Sequence, residues 1–359
     1  MQALRQFNRA KNDALRSVKL KLLNAWLNAT SRPQPWQPEK VKRVLLLRLD
    51  DKIGDMIVTT GTAKRLADHG YEVSVLTGKI CANLLEHCDA VKQTYRYERR
   101  MSLQPLREQR FDVIIDFDDV FSHERLNLLY RLAPRHVIGF NKPGCAQYTQ
   151  QIELLNSEKH ITERHRKVLS LFNLPDAPFK YYLGSDPKAL AGLTHYLTRP
   201  ANGWLIAINP FTGSEDKDFS REQVQGIINF LKQRYDAVRV LLIGRGDKLQ
   251  SLGIADAEFV PDSTINTAVE IVRHADLVIS PDTSIVHMAC TFNTPLVAIY
   301  NTRRLKDTGL VGYKIWAPNY PAAVQLVTET PAICDTPLDI LCDAVDKKLT
   351  ELKQQRHQV

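Results

Sequence analysis

An aspartate in the N-terminal part of the chain lies where a carboxylate could act on a bound ligand. Asp55 follows the aliphatic residues 44–47, which predict a fully buried parallel strand. Apolar residues at helical spacing come next, so residues 48–55 predict a strand-to-helix turn at the carboxyl edge of a sheet, where open α/β sheets bind ligands. We expect Gly54 to give this turn freedom in φ and Asp55 to project into the crevice. The alternative is that Asp55 only caps the helix.

A loop in the second half of the chain carries groups that suit a phosphate. Residues 209–220 follow an apolar run and include Thr212, Gly213 and Lys217. Small residues let backbone N–H groups approach an anion, and the lysine can supply a positive charge. The alternative is a solvated loop with a surface lysine.

A later turn combines hydroxyl groups with the start of an apolar helix. Asp282, Thr283 and Ser284 precede that helix, so its N–H groups and the hydroxyls suit a diphosphate. His287 lies one helical turn beyond Thr283 on the same face. The alternative is that His287 is an ordinary core residue whose hydrogen bonds are satisfied.

Two further local signals are weaker. Ser220 and Gln223 form the pattern of a capping box, which predicts a helix start after the 209–220 loop. Gly244 and Gly246 form a Gly-x-Gly after an apolar run, a pattern that has little specificity alone. We include Gly244 among the candidate nucleotide-binding residues.

The elements that would position these residues alternate between strands and helices. This pattern predicts an α/β protein with two Rossmann-like domains, in which helices lie between parallel strands. The predicted boundaries are a basic helix and linker at 1–40, a first domain at 41–180, a second at 181–335 and a final helix at 336–359. Predicted strands are 41–47, 71–77, 111–117, 135–140, 204–209, 238–244, 275–280 and 295–300.

The positive charge of the chain is concentrated at its N-terminus. The 359 residues carry a formal net charge of +8. Residues 1–43 hold ten Lys or Arg and two acids, which is 10 − 2 = +8, so the remaining residues sum to zero. This distribution argues against a nucleic-acid partner along the whole chain and favours a local anionic partner.

The same N-terminal segment has the pattern of an amphipathic helix. Apolar residues at helical spacing are flanked by Lys and Arg, which predicts a helix lying on an anionic bilayer. The alternative is a helix packed on the body of the protein. A proline-rich linker follows at 31–38. The predicted membrane contacts are Phe7, Leu15, Val18, Leu22 and Trp26.

Other features of the sequence predict a cytoplasmic location. The six cysteines contain no Cys-x-x-Cys pair, so we expect reduced thiols. Residues 1–30 have no continuous apolar segment typical of a signal peptide, and no stretch predicts a membrane span.

The loops together resemble glycosyltransferase family 9, the bacterial ADP-heptose:lipopolysaccharide heptosyltransferases. The matching pieces are residues 48–55, the 209–219 loop with its lysine, and residues 281–287, in that order. The resemblance implies a GT-B fold and an inverting, metal-independent transferase whose nucleotide sugar is a substrate, so that no cofactor is expected. The family's essential aspartate falls on Asp55. Its donor-binding residues fall on Thr212, Lys217, Asp282, Thr283, Ser284 and His287.

The resemblance also implies partners and a location. They are a nucleotide-sugar donor, most commonly ADP-heptose, and a lipid-linked glycan acceptor in the lipopolysaccharide core or a related surface glycan. The implied location is the cytoplasmic face of the inner membrane of a Gram-negative bacterium. The chain departs from the family pattern at Ser284, where glycine is frequent, and at Gly213, where a second hydroxyl is common. Residues 244–246 offer no clear equivalent of the acidic residue near adenine in some members.

Other functional classes compete with this interpretation. Residues 116–119 contain an Asp-x-Asp pattern that could hold a metal ion, although it ends a strand in the other half of the chain from the nucleotide loops. An NAD-dependent oxidoreductase would require Gly-x-Gly-x-x-Gly directly after a strand, and the sequence has none. A non-catalytic nucleotide-sugar sensor or membrane-associated scaffold on the same fold remains the main alternative.

Overall fold

The computed structural model describes residues 2–32, 34–154, 158–305 and 309–356. Within the first helix, the side chains of residues 2–10 and of residue 13 lie outside this description, and so does the predicted membrane contact of Phe7.

The described chain alternates between helices and strands from β1 onward. Three short 3-10 helices cover Pro38–Lys40, Glu215–Lys217 and Ile333–Asp335. The strands are β1 Arg43–Arg48, β2 Glu72–Thr77, β3 Gln93–Arg96, β4 Val113–Asp116, β5 His136–Phe140, β6 Gln150–Ile152, β7 Trp204–Ile208, β8 Val238–Leu242, β9 Glu258–Phe259, β10 Leu277–Pro281, β11 Leu296–Tyr300 and β12 Ala323–Val327. The helices are α1 Gln2–Thr30, α2 Ile53–Asp68, α3 Lys79–Leu84, α4 Gln104–Glu108, α5 His123–Leu132, α6 Thr162–Leu171, α7 Pro187–Gly192, α8 Arg221–Arg234, α9 Gly246–Leu252, α10 Ile265–His274, α11 Ser284–Phe292, α12 Gly312–Ile315 and α13 Leu338–Arg356.

The strands form two six-stranded parallel sheets with the same winding. The first has the order β3-β2-β1-β4-β5-β6 and the second β9-β8-β7-β10-β11-β12. Each order reverses direction once, between β1 and β4 in the first sheet and between β7 and β10 in the second. Ligands of doubly wound sheets bind beyond the carboxyl ends of the strands at such reversals. The predicted two-half, doubly wound architecture is therefore confirmed.

The strands that the sequence predicts best are those at the centre of each sheet. In β1, the four residues 44–47 are fully buried, as a strand covered by helices on both faces requires. Four shorter strands, β3, β6, β9 and β12, were not predicted. All four lie at sheet edges. β3, β9 and β12 contain no fully buried residue, so they lack the apolar run that marks a central strand.

One apolar core connects the two halves. It joins residues of both sheets into a single cluster, with α2 of the first half packed against α11 of the second. Met56 and Ile57 on α2 and Val286 and Met288 on α11 are almost fully buried in it. The halves are consequently packed together through apolar side chains as well as connected by the chain.

Helix α1 packs on the first half by one face and leaves another face open. Leu27 is 3% exposed, and Leu20 and Leu23 pack against the same cluster, which includes residues of α5. The side-chain amides of Asn24 and Asn28 donate to the carbonyl of Gly144. The outward face carries the predicted contacts Leu15, Val18, Leu22 and Trp26, which are 49%, 53%, 67% and 47% exposed.

One face of α1 is therefore packed on the body of the protein, as the alternative interpretation expected, and contact of the exposed face with a membrane stays a prediction. The packed face was missed because Leu20, Leu23 and Leu27 lie beside the predicted apolar stripe rather than within it. The linker after α1 is also docked, since the indole of Trp36 donates to the carbonyl of Leu171 at 2.7 Å. Within the described residues, no helix is both long enough and apolar enough to cross a bilayer.

A buried charge cluster lies at the carboxyl end of β4. The Asp116 carboxylate is fully buried and accepts hydrogen bonds from Arg125 at 2.5 Å and from the Tyr148 hydroxyl at 2.7 Å. The Lys142 ammonium lies 3.6 Å from it. Although burial opposes it, the neighbouring charge of Arg125 holds the pKa of Asp118 below its ordinary value. Such a cluster stabilises the fold only while its charges compensate each other.

Replacing Arg125 should destabilise the first half. Arg125→Met leaves Asp116 buried with Lys142, the Tyr148 hydroxyl and the backbone N–H of Asp118 as its partners among the described residues. Breaking a buried pair typically costs roughly 3–5 kcal/mol. We expect a loss near the lower end of that range, measured by denaturant unfolding. Arg131→Met on the same helix is the control, because Arg131 is exposed. Equal unfolding free energies for the two variants would contradict this account of the cluster.

Candidate active site

The candidate residues lie in the loops beside the two points where the sheets reverse direction. The loop that contains Asp55 follows β1, and the 116–119 segment follows the neighbouring strand β4. In the second half, the 209–220 loop follows β7 and the 282–284 turn follows β10. Gly244 follows β8, one strand further from the reversal.

Gly54 has a different role from the one predicted. It lies inside α2, in helical conformation, and the residue of this turn with positive φ is Asp51. A Cβ atom on Gly54 would lie 3.1 Å from Cδ2 of His287 and 3.8 Å from Cα of Ser284. The glycine therefore permits close approach of α2 to α11. This approach brings the first turn of α2, in the first half, against the first turn of α11, in the second half.

Asp55 is not the N-cap of α2. Lys52 occupies that position and makes no side-chain cap, while Asp55 lies in the first turn of the helix. Its carboxylate forms an ion pair with Arg48, whose Nη1 lies 2.9 Å from the Asp55 Oδ1. The capping interpretation is thus wrong, because the side chain pairs with the guanidinium at the end of β1 rather than with a helix N–H. The Asp55 side chain is 17% exposed and keeps limited access to solvent.

Arg48 is held rigidly beneath Asp55. It is 5% exposed, and its Nε donates to the hydroxyl of Thr59, which in turn donates to the carbonyl of Asp55. The guanidinium also lies over the ring of Phe117. Burial raises the pKa of Asp55 above its ordinary value, and the positive charge of Arg48 counteracts part of that rise. Burial thus increases the basicity of the Asp55 carboxylate, and the fixed positive charge of Arg48 limits that increase.

The loop after β7 is folded on itself by short polar contacts. The Thr212 hydroxyl donates to the carbonyl of Ser214 at 2.7 Å, and the Thr212 N–H donates to Asp218 at 2.5 Å. Gly213 is exposed, and a Cβ there would meet open space. The predicted capping box at Ser220 and Gln223 is present and starts α8.

Cationic and acidic groups are paired where the two loops of the second half meet. The Lys217 ammonium lies 2.5 Å from the Asp282 carboxylate, which joins the loop after β7 to the turn after β10. Arg303, from the loop after β11, lies 2.9 Å from Asp216. An anion that binds here can take over cations that these carboxylates now neutralise.

The turn after β10 presents the start of a helix to the same place. Thr283 is the N-cap of α11, and its hydroxyl accepts from the N–H of Ile285 at 3.2 Å. The side-chain amide of Asn209 donates to Ser280 and to Thr283, so it fixes the turn from the neighbouring strand. Ser284 is the first residue of α11. A helix N-terminus has unpaired N–H groups and a partial positive charge, so it is suited to anions.

His287 is buried between the halves. Its ring contacts Tyr181 and Trp316 edge-to-face, with centroids 5.8 and 5.6 Å away, and it is 4% exposed. Burial lowers the pKa of His287 to about 3, so the ring is neutral at physiological pH. The Tyr181 hydroxyl beside it is buried and has no hydrogen-bond partner among the described residues. A neutral imidazole can contact a ligand as a hydrogen-bond donor or acceptor, but not as a cation.

The structure adds residues that the sequence analysis did not assign. Arg48 begins the predicted turn at 48–55, but no sequence periodicity indicates its pairing with a residue seven positions later on the next element. Asn209 and Arg303 each follow a buried central strand of the second sheet, and that placement is the signal that could have identified them. Trp316 has no sequence signal, because only tertiary packing places it beside His287.

The Asp-x-Asp pattern after β4 is engaged by cations. Asp116 and Asp118 pair with Arg125, and Asp119 pairs with Arg164 at 2.8 Å. Among the described residues, no group of three or more His, Cys, Asp or Glu side chains is placed to hold a metal ion.

A cavity of about 870 Å³ lies between α3 of the first half and α7 and α10 of the second. Its lining includes His87, Asp186 and Asn266 and none of the predicted site residues. We place the candidate site at the α2–α11 contact, because the strand reversals and the polar loops coincide there.

Comparisons with known proteins find relatives that match most of the chain. A protein of Escherichia coli (strain K12), provisionally named lipopolysaccharide heptosyltransferase 4, is 23% identical over 354 residues, covering 95% of this chain and 97% of that protein. The structure of Escherichia coli ADP-heptose lipopolysaccharide heptosyltransferase II matches with a TM-score of 0.69 and 17% identity, covering 87% of this chain and 99% of the other. A family 9 glycosyltransferase from Veillonella parvula DSM 2008 matches with a TM-score of 0.72 and 13% identity, covering 86% and 97%.

These structural matches confirm the expected fold, with two Rossmann-like domains facing across a cleft in the GT-B arrangement and an additional N-terminal helix. Residues 99–330 match the sequence profile of glycosyltransferase family 9 (heptosyltransferase), which is more than half of the chain. The chain therefore belongs to glycosyltransferase family 9 (heptosyltransferase).

Proposed function

We propose that this protein is an inverting, metal-independent transferase that moves heptose from ADP-heptose to a lipopolysaccharide core sugar or a related surface glycan. The observation that carries the proposal is the contact at Gly54, which brings the Asp55 turn of one half against the donor-loop helix of the other. The donor is proposed from the family and from the name of the solved relative, which includes ADP-heptose. We assign residues 41–180 to the acceptor and 181–335 to the nucleotide sugar, with 1–40 and 336–359 as flanking helices.

Asp55 is the proposed general base. Inverting transfer requires a carboxylate that takes the proton from the acceptor hydroxyl as that oxygen attacks the anomeric carbon. Burial makes Asp55 a stronger base, and Arg48 keeps it ionised and directed. Asp118 contributes a further negative charge nearby that favours protonation of Asp55. The acceptor would therefore enter above the carboxyl ends of β1 and β4.

The second half supplies the groups that stabilise the departing nucleoside diphosphate. Lys217, the start of α11 and the hydroxyls of Thr212, Thr283 and Ser284 are the proposed contacts, with Gly213, Gly244, Asp282 and His287 completing the donor site. A leaving group that gains negative charge is stabilised by preorganised N–H groups and cations. Support for metal independence comes from Lys217 and Arg303, two cations that carboxylates already hold at this place.

The proposed location is the cytoplasmic face of the inner membrane of a Gram-negative bacterium, where a lipid-linked acceptor would be met. The outward apolar side chains of α1 and the charge of +8 within residues 1–43 support a peripheral contact.

Replacing the base tests the mechanism directly. Asp55→Asn keeps the size of the side chain but cannot take a proton, so turnover should fall by roughly 100- to 10,000-fold. Affinity for the nucleotide sugar and the melting temperature should change little. Asp50→Asn in the turn before α2 is the control, since Asp50 pairs with Lys52 at 3.6 Å and lies outside the helix. Its charge adds to the burial that raises the pKa of Asp55, so this variant should lower that pKa and keep turnover at neutral pH close to the parent rate. Transfer by Asp55→Asn at close to the parent rate would remove Asp55 from this role and would leave the sensor or scaffold alternative open.

The Arg48 charge should set the acidic side of the pH–rate profile. The base works only when ionised, so the rate falls as pH drops through the pKa of Asp55. Arg48→Gln removes a cation that lowers this pKa, so the pKa rises and the acidic limb of kcat/KM moves to higher pH. Arg48→Lys keeps the charge and should shift the limb less. An unchanged limb in Arg48→Gln would show that another group controls it.

Lys217 should contribute to binding of the diphosphate. Lys217→Ala should weaken affinity for ADP by about 1.5–3 kcal/mol, the range for a lost charged hydrogen bond, which is roughly 10- to 150-fold. The Asp282 carboxylate left without its partner would also repel the anion. Calorimetry would measure the effect, with the exposed Lys347→Ala as control. Equal affinities in the two variants would place the phosphates elsewhere.

A further inference from the structure

We propose that a groove between α4 and α5, beside the outward face of α1, binds the headgroups of anionic phospholipids. The inference rests on the proposed membrane contact and extends it from the N-terminal helix to the folded first half. We call this the α4–α5 groove and define it by Ser102, Gln104, Arg107, Tyr130 and Arg131.

The groove collects positive charge from two separate elements. It has a volume of about 470 Å³, and Arg107 of α4 and Arg131 of α5 both line it. Both arginines are exposed, and within the described residues neither side chain has a hydrogen bond or ion pair. Guanidinium groups bind phosphate through paired N–H donors, and the exposed hydroxyl of Ser102 adds a further polar group. The amide of Gln104 is engaged by Glu108 at 2.8 Å.

An aromatic pair joins the groove to the exposed stripe of α1. Trp26 and Tyr130 meet edge-to-face, with centroids 5.2 Å apart and planes at 84°. Trp26 is 47% exposed and Tyr130 is 45% exposed, although both are large aromatic side chains. Amphipathic rings of this kind are enriched where a protein meets the lipid headgroups. The apolar stripe, the aromatic pair and the arginines therefore form one continuous surface with an apolar part and a cationic part.

The charges on this side of the molecule indicate which kind of partner binds the groove and the exposed stripe of α1. Lys11, Lys19 and Lys21 on α1 are exposed and add to the +8 of residues 1–43. A second copy would bring the same positive charge to the contact and be repelled. The exposed Leu15, Val18 and Leu22 would gain nothing from a nucleic acid. A bilayer with anionic lipids matches both parts, because it offers negative headgroups above an apolar interior.

The groove would give the attachment a defined orientation. A single amphipathic helix on a bilayer leaves the attached domain free to tilt about the helix axis. A second contact on α4 and α5, fixed to the helix by the packing of Leu27 and its neighbours, removes that freedom. The cleft is then held at a constant angle to the surface that carries a lipid-linked acceptor.

Vesicle flotation of the full chain tests the groove. The probe is a phosphatidylcholine vesicle with or without phosphatidylglycerol. The test variant is Arg107→Glu/Arg131→Glu, and the control is Lys347→Glu/Lys353→Glu on α13, which makes the same change in net charge on the other half. Each basic residue near an anionic surface is worth about 1 kcal/mol, so the test variant should bind anionic vesicles at least roughly tenfold more weakly. The control should bind like the parent.

The possible outcomes distinguish lipid binding by the α4–α5 groove from the proposed membrane contact of α1, on which it rests. Equal binding by the test and control variants would overturn the groove while leaving the α1 contact intact. If the parent protein does not bind anionic vesicles, both the membrane contact of α1 and lipid binding by the groove are overturned. A parent dimer in solution that the test variant dissociates would assign the surface to a second copy and overturn the lipid assignment. Unchanged kcat of the test variant on a water-soluble acceptor would show that its loss of binding does not come from a damaged catalytic site.

Discussion

The close approach of α2 to α11 is the constraint on which the candidate site depends. It exists because residue 54 has no side chain, and even a single added carbon would lie 3.1 Å from the ring of His287. The first turn of α2 carries Asp55, and the first turn of α11 carries the N–H groups and hydroxyls of residues 283–284. A carboxylate and the N-terminus of a helix are thereby held together by packing between two helices from different halves.

The winding of the two sheets explains why the other polar groups collect at the same place. Both sheets reverse direction between their two central strands, and the loops beyond those strands hold the polar residues. In the first half these loops include a carboxylate paired with Arg48 and the buried charges around Asp116. In the second half they include the Lys217–Asp282 pair, which links the two loops across the reversal. The same topology thus presents a carboxylate in one half, and a lysine and the N-terminus of a helix in the other.

The structural features that could be predicted from the sequence are those that a local pattern of residues encodes. The long apolar runs predicted the central strands, the spacing of Ser220 and Gln223 predicted a cap, and the order of the polar loops predicted the family. Features that depend on tertiary contact were missed or misread. Gly54 was assigned to a turn because a glycine beside a strand end commonly supplies positive φ. Its actual role is to make room for His287, which lies more than 200 positions further along the chain. The pairing of Arg48 with Asp55 and the packed face of α1 likewise follow from neighbours that the local pattern does not contain.

The continuous apolar core between the halves has a consequence for the timing of a catalytic cycle. Separating α2 from α11 would expose side chains such as Ile57 and Val286 to water, at a cost of roughly 25 cal/mol for each Å² of apolar surface. Wide opening by rigid rotation of one half is therefore disfavoured. Ligands must exchange through smaller movements of the loops around the cleft, whose polar contacts reform in water at little cost. On this basis, we expect exchange of bound ligands to be limited by rearrangement of those loops rather than by rotation of a whole domain.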